Sequence, residues 1–455
     1  MEKIYAGAKI RSLRRKLGIT QATLAKEVKL SHSYINQLEN DQRPLTTSAL
    51  LALSTCLGVS PDYFLPDTNA RLMSSVRDAM SQAGFPCDQE EIQEFTDRFP
   101  RVAEALTLLS AAAAPGNNPV LAEVNPTRHV FDHVRDFFYW HRNHIPELDT
   151  LAEQLADRLG GPQFRTMRLA ELLDTTAHVR VIFRNQEQQS RRVFDPESRT
   201  VSLRADLTDA QQCFELAMQW AFICLPEQLD ELTESERLPS PEAKSLGRIG
   251  LAQYFAAAVV MPYGQILQAA EECRYDLDVL SQRFGTGFEM TCHRLSTLQR
   301  PGAEGVPLFF VRTDRAGNIS KRQSASSFHF SRSGGSCPLW IVNRAFETPN
   351  RIIRQVSQMP DGRTYLWIAR TVERPHGGFH DPNITFAIGL GCDISQAHRL
   401  VYSDGLNLSD DSATRIGAGC RVCERSDCKQ RAFPATGFAL DINENRSQEV
   451  PYATK

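Results

Sequence analysis

Long apolar runs are missing from this sequence. No stretch is long enough to cross a bilayer, and the amino-terminal Met1-Glu2-Lys3-Ile4-Tyr5 has no apolar core of a secretory signal. The expectation is a cytoplasmic protein without a membrane partner. One-sided charge is lacking as well: 51 Lys and Arg stand against 54 Asp and Glu, a formal charge of -3. Any nucleic-acid affinity must therefore come from a local basic surface. A disulfide framework is not indicated, because the eleven cysteines are odd in number and a reducing compartment favours free thiols or metal ligation. With 42% hydrophobic and 23% charged residues, the composition is that of a globular chain. At 455 residues it exceeds one ordinary core, so two to four domains are expected.

The chain does have a basic start. Lys9, Arg11, Arg14, Arg15 and Lys16 accompany the apolar stripe Ile10, Leu13 and Leu17, which predicts an amphipathic helix ended at Gly18. Thr20 can cap a second helix carrying Gln21, Leu24, Ala25 and Val28. Ser31 can cap a third, whose buried face is Ile35 and Leu38. Helix, short turn, helix, with the third helix set for a major groove, is a DNA-reading arrangement.

The run Gln21-x-x-Leu24-Ala25-x-x-Val28, then Ser31-x-x-Tyr34-Ile35-x-x-Leu38-Glu39-Asn40, resembles the Xre/Cro-type helix-turn-helix family. Leu50–Leu53 and Leu57–Leu65 fit that family's last two helices, with Ser60 and Pro61 as N-cap and first helical residue. The resemblance puts Ser31, His32, Ser33, Asn36 and Gln37 against base edges. It puts Gln21, Asn40 and Arg43 on phosphate or the groove edge. The chemistry agrees, since Asn and Gln can pair bidentately with adenine and a helix N-terminus favours a phosphate oxygen. Such heads bind as dimers to half-sites about one helical turn apart, so a homodimer on double-stranded promoter DNA is expected.

Residues 69–149 read as a helical connector and dimerisation region. Asp88-x-x-Glu91 is a capping-box start, followed by Ile92, Phe95 and Phe99 on one face, and a further helix from Val102 to Leu109. Pro115-Gly116-Asn117-Asn118-Pro119 reads as a linker. Phe131, Phe137, Phe138, Tyr139 and Trp140 form an aromatic cluster read as core or dimer interface. His129/His133 and His141/His144 have spacings that can bind zinc, but with no acid or thiol partner in reach they read as polar helix positions.

In residues 150–300 a helix is expected to open at Thr150, and His178–Phe183 alternates as a strand. Arg191–Asp195 and Thr200–Arg204 flank a hairpin turn, and a helix follows from about Thr208 to Cys224. With Cys213-Phe214-Glu215-Leu216-Ala217 on that helix, the segment resembles the ImmA/IrrE-type metallopeptidase fold. That family carries H-E-x-x-H directly after the matching Leu-Ala; here the run is Met218-Gln219-Trp220-Ala221-Phe222. Zinc hydrolysis needs two imidazoles one turn apart and a carboxylate base. Neither is present, nor is an acid between Leu246 and Gly250 before the helix-like Leu251–Pro262. The domain is read as a catalytically dead scaffold whose vacated cleft is a candidate effector pocket.

Residues 301–455 read as a small mixed sheet, with strands at Pro307–Asp314, Arg363–Ala369 and Asn383–Leu390. Near the end stand Cys420, Cys423 and Cys428 in a C-x2-C-x4-C arrangement, close enough to face one metal centre. The spacing alone leaves zinc and iron–sulfur open. Gly335–Trp340, Met359–Gly362, Gly389–Asp393 and Gly419–Pro434, with the head and the dead peptidase-like domain, resemble the short-chain fatty acyl transcriptional regulators. The nearest resemblance is to propionyl-CoA carboxylase regulators. It implies a [4Fe-4S] cluster on Cys420, Cys423 and Cys428 and an acyl-CoA effector; the cysteine block gives no fourth ligand, for which Cys392 is the first candidate and Cys337 the second. Coenzyme A phosphates call for arginines, which crowd at Arg180, Arg184, Arg191 and Arg192 and from Arg344 to Arg374; none is singled out as a contact.

The expected whole is a multidomain α+β chain: an all-α head (1–68), a helical connector (69–149), a degenerate metallopeptidase-like α+β domain (150–300) and a C-terminal mixed-sheet domain with a cysteine knuckle (301–455). The expected function is a non-enzymatic, DNA-binding transcriptional regulator of propionate or acetate metabolism, modulated by acyl-CoA. Its rivals are a repressor with structural zinc and no effector, and an active repressor-cleaving metallopeptidase.

Overall fold

A computed structural model describes residues 6–16, 19–40, 42–57, 59, 70–82, 85, 87–113, 127–185, 190–324, 336–374, 380, 384–435, 439–450 and 452–453. Expectations at Gly18, Ser60–Leu65 and Pro115–Pro119 lie outside them. The chain divides into two compact units: a first of residues 1–124, 327–334 and 417–455, and a second of residues 125–326 and 335–416.

The first unit opens with α1 (Gly7–Lys16), α2 (Gln21–Glu27), α3 (His32–Glu39) and α4 (Thr47–Leu57). Both expected caps are present: the Thr20 hydroxyl accepts the Thr23 N–H and the Ser31 hydroxyl accepts the Tyr34 N–H. The expected stripes meet in one core of Ile10, Leu24, Ala25, Val28, Ile35, Leu38, Leu53 and neighbours. Next come α5 (Ala70–Gln82), α6 (Gln89–Arg98) and α7 (Pro100–Ala113) around a small core of Val76, Ile92 and Ala103. The Asp88/Glu91 capping box is complete. Phe99 departs from the expected face, because it follows the last turn of α6 and is exposed.

The second unit begins with α8 (Thr127–Trp140), whose Phe137 is in the core while Phe131 and Trp140 are exposed. This half of the expected connector therefore packs with the domain that follows it. Then come α9 (Pro146–Leu159) and α10 (Arg165–Ala177). Helix α9 starts at Pro146 rather than the expected Thr150; proline suits the first helical position, and Glu147 and Asp149 suit the positive helix end. Strands β1 (Arg180–Arg184), β2 (Arg192–Asp195) and β3 (Thr200–Arg204) lie in the order β1-β3-β2, with β2 and β3 as the expected hairpin. A Thr208/Gln211 capping box starts α11 (Asp209–Cys224), followed by α12 (Pro226–Thr233), α13 (Pro241–Val260), α14 (Tyr263–Glu272), α15 (Leu277–Phe284) and α16 (Phe288–Leu295). Central α13 packs against α8, α9 and α11.

Two short strands, β4 (Gln299–Arg300) and β5 (Ala303–Glu304), lead into β6 (Phe309–Thr313) and β7 (Ile319–Ser324). After α17 (Ile341–Arg344) come β8 (Ile353–Gln358), β9 (Thr364–Arg374), β10 (Ile384–Asp393) and β11 (Thr414–Arg415). They form a six-stranded mixed sheet, ordered β11-β8-β9-β10-β6-β7, with only β11 and β8 parallel among the described pairs. The Gly-Leu-Gly of β10 is a matter of close approach: a Cβ on Gly391 would lie 2.7 Å from the Trp367 ring, and one on Gly389 2.6 Å from Val342. One core spans residue 300, joining Leu216, Phe255 and Leu298 to Phe310, Leu366 and Leu390.

Fully buried charge ties this unit together. Asp149 and Arg294 side chains are 0% exposed and 2.6 Å apart. The Tyr254 hydroxyl donates to the same carboxylate at 2.6 Å, and His144 Nε2 is 3.2 Å away. His144 therefore corrects the expected reading of the His141/His144 pair: both lie beyond the end of α8 at Trp140, and an acid of the same chain is in reach. Burial pushes the Asp149 carboxyl up, but Arg294, His144 and Tyr254 outweigh it and hold the carboxyl well below its ordinary range.

Candidate functional site

Helix α3 presents its N-terminal turn and one side to solvent: Ser31, His32, Ser33 and Asn36 are exposed and Gln37 is half-buried. The expected base-reading residues thus share one helix. Asn40 donates its amide to Asn36 Oδ1 at 3.0 Å and accepts from Arg11 at 2.6 Å. Arg43 is exposed, its guanidinium 5.3 Å from the centre of the Tyr34 ring. Gln21 is turned inward and donates to Glu39 at 2.7 Å.

Glu39 was not among the residues expected at the site. Its side chain is 1% exposed, and Arg14 grips it with Nε at 2.5 Å and Nη2 at 2.9 Å, a bidentate pair. Arg11 donates to the Glu39 carbonyl. Burial pushes the Glu39 carboxyl up, but the hydrogen bonds from Arg14 and Gln21 outweigh it and lower it. This narrows the expected basic surface: Arg14 is tied to α3 through a buried carboxylate, while Arg11 also joins α1 to α3 but stays partly exposed. The available signal was an acid directly after Leu38, on the buried side of an otherwise apolar stripe.

In the second unit, the H-E-x-x-H-equivalent residues sit on α11 as expected. Met218 and Gln219 are buried and Phe222 is half-buried. The side chain of Arg192, from β2, reaches them: it donates to Gln219 Oε1, its Nε is 3.4 Å from Glu215, and its guanidinium is 5.5 Å from the Phe222 ring centre. Of the other crowded arginines, Arg370 pairs with Asp278 at 2.8 Å and Arg354 donates to the Tyr402 and Asp404 carbonyls.

The cysteine knuckle lies in the residues of the first unit, whereas the sequence had grouped it with the sheet. One described tie there is Glu424 to Arg77 of α5, at 3.5 Å. Cys420 opens a 3-10 turn ending at Val422, Cys423 is buried and Cys428 half-buried. Arg431, 5% exposed, holds the loop by donating to the carbonyls of Cys420 and Cys423 at 3.0 Å each. The Ala432 N–H points at the Cys420 sulfur at 3.5 Å, and a Cβ on Gly417 would strike the Cys423 sulfur at 2.6 Å. Burial raises the Cys423 thiol, with Arg431 and Arg425 pulling the other way. No three His, Cys, Asp or Glu side chains converge as a metal site among the described residues. Cys392 and Cys337, the candidates for a fourth ligand, are buried in the second unit, and burial pushes the Cys392 thiol up to about 12. Among the described residues no helix is long and apolar enough to cross a membrane.

Comparison with known proteins covers the whole chain. Three family models match in succession: "Helix-turn-helix" over residues 10–64, "IrrE N-terminal-like domain" over 175–296, and "Short-chain fatty acyl coenzyme A regulator, C-terminal" over 297–452. The chain is 43% identical to "HTH-type transcriptional regulator PrpR" of Mycobacterium tuberculosis, over 99% of this chain and 96% of that one. It is 42% identical to "HTH-type transcriptional regulator RamB" of the same species over the full length of both. It is 38% identical to "Propionyl-CoA carboxylase regulator" of Cereibacter sphaeroides over 99% of each. A solved "Mycobacterium tuberculosis transcriptional regulator" superposes with a TM-score of 0.69 at 45% identity, covering 71% of this chain and 99% of that one. An exposed third helix on a clamped helix-turn-helix head, a peptidase-like domain without its ligands, and full-length likeness to named regulators lead to one conclusion: this chain belongs to the short-chain fatty acyl coenzyme A regulators, a family of helix-turn-helix transcriptional regulators.

Proposed function

We propose that this chain regulates genes of propionate or acetate metabolism from the cytoplasm, binding promoter DNA as a homodimer whose affinity is set by a short-chain acyl-CoA. The observation that carries the reading is the exposed turn of α3, with Asn36 and Gln37 on its solvent side and Glu39 locking it from behind. The likeness to the propionyl-CoA carboxylase regulator of Cereibacter sphaeroides supports the metabolic part. The effector acts by population shift: it binds better to the dimer arrangement that spaces the two recognition helices to match the operator. No peptide hydrolysis is expected, because Met218 and Phe222 replace imidazole ligands and Gln219 cannot serve as a base.

Operator binding and thermal melting, each measured with acetyl-, propionyl- and butyryl-CoA, test the effector. At least one ester should shift both; curves that none of the three moves from the ester-free ones defeat the acyl-CoA part. In the head, Gln37→Ala should cost about 1–3 kcal/mol on the operator and little on random DNA, whereas Arg43→Ala should weaken both alike. Equal losses on both DNAs for Gln37→Ala count against base reading by α3.

The knuckle is proposed to hold a [4Fe-4S] cluster, or else zinc, on Cys420, Cys423 and Cys428. The donor set suits either, and the Arg431 clamp and Ala432 N–H are outer contacts of the kind that orient thiolate ligands. The expected candidates for a fourth ligand, Cys392 and Cys337, are buried in the second unit, so the proposal rests on the three knuckle cysteines. A bound group would supply a cross-link that adds to folding free energy. Cys423→Ser should abolish bound metal in protein purified without air. Metal content equal to the parent's removes Cys423 from the ligand set, and the visible spectrum separates iron–sulfur from zinc.

A further inference from the structure

Arg192 meets the one helix face on which a zinc hydrolase of this fold would carry its metal. Glu215, Met218, Gln219 and Phe222 recur along α11 at three- and four-residue steps and so line one side of it. In an H-E-x-x-H helix the metal stands over that side, held at the positions of Met218 and Phe222, with the base at the position of Gln219. What stands there in this chain is a cation from the neighbouring strand. Its Nε lies 3.4 Å from the Glu215 carboxylate, it donates to Gln219 Oε1, and it lies 5.5 Å from the centre of the Phe222 ring. Each partner suits a planar cation: a carboxylate supplies the counter-charge, an amide oxygen accepts an N–H, and an aromatic face attracts positive charge. The Arg192 side chain is 16% exposed and that of Glu215 12%, so the pair is mostly removed from water.

We propose that Arg192 is the resident cation of this relic metal site. Its guanidinium stands where a divalent ion would, ties the β2–β3 hairpin to α11, and leaves the site no place for a metal. The His-to-Met, Glu-to-Gln and His-to-Phe replacements at Met218, Gln219 and Phe222 are then the set that accommodates an arginine, not a random loss of ligands. An arginine does not dissociate and keeps its charge at every physiological pH, so the domain needs no metal supply.

Tryptophan fluorescence of the full chain tests this, because all four tryptophans, Trp140, Trp220, Trp340 and Trp367, lie in the second unit. Arg192→Ala should lower that unit's melting temperature by about 10 °C, since Glu215 is left without its counter-charge. Millimolar guanidinium should restore most of the loss by refilling the place, and ammonium at equal ionic strength should not. A melt unchanged from the parent's, or equal rescue by the two cations, overturns the proposal. If Arg192→Ala yields no folded protein, Arg192→Lys and Arg192→Met decide: the charged lysine must melt above the uncharged methionine, and the reverse order overturns it.

Discussion

Asp149→Ala is expected to cost the second unit about 3–5 kcal/mol, the largest single loss foreseen for that unit. The substitution removes the counter-charge of Arg294, whose side chain is 0% exposed. It also removes the acceptor of the buried Tyr254 hydroxyl. The remaining bonds of Arg294, to the Met261 carbonyl and Thr297, are neutral and do not offset a buried charge. Tryptophan-monitored denaturation reads this unit selectively; a midpoint unchanged from the parent's counts against the network. The same carboxylate sets an acid limit. Its folded pKa is depressed, so its contribution is complete above the ordinary carboxylate range and fades only as pH falls below it toward the depressed value. Asp149→Asn should therefore flatten the acid side of the stability profile, while leaving its alkaline side parallel to the parent's.

Glu39→Ala is expected to unfold the DNA-reading head without disturbing the tryptophan signal. The carboxylate is buried against Arg14, with Gln21 as a second donor, and breaking such a pair from one side costs about 3–5 kcal/mol. A core of the head's size supplies no more than about that much. Operator affinity should fall more than about a hundredfold, and the melt of the second unit should stay put. Glu39→Gln, which keeps the shape and one acceptor, should fall between. Operator binding by Glu39→Ala within a few-fold of the parent would mean that α1 and α3 hold together without this clamp.

Much of the local architecture is readable from residue order. Thr20, Ser31, Asp88 and Thr208 each cap the helix foreseen for them or close to it, since a cap is a contact of three residues' reach. The β2–β3 hairpin is local for the same reason. The start of α9 was misplaced by four residues: Ile145 offers no side-chain cap, and only Pro146 marks the first turn. Phe99 looked like a third member of an apolar stripe, but the helix ends before it.

The sites divide along the same line. That Met218, Gln219 and Phe222 cannot bind zinc follows from side-chain chemistry alone, and the proposed recognition residues of α3 follow from helical spacing and resemblance. Which cations are free does not. Arg11 and Arg14 read as DNA-facing charge until Glu39, 28 and 25 residues away, is seen to hold them. Asp149 finds Arg294 across 145 positions and Arg192 finds Gln219 across 27. Order along the chain encodes periodicity, caps and missing ligands, because those depend on neighbours a few residues apart. Only folding decided which buried charges were paired and which unit the knuckle joined, because burial makes a charge take whatever partner the tertiary fold brings within about 4 Å.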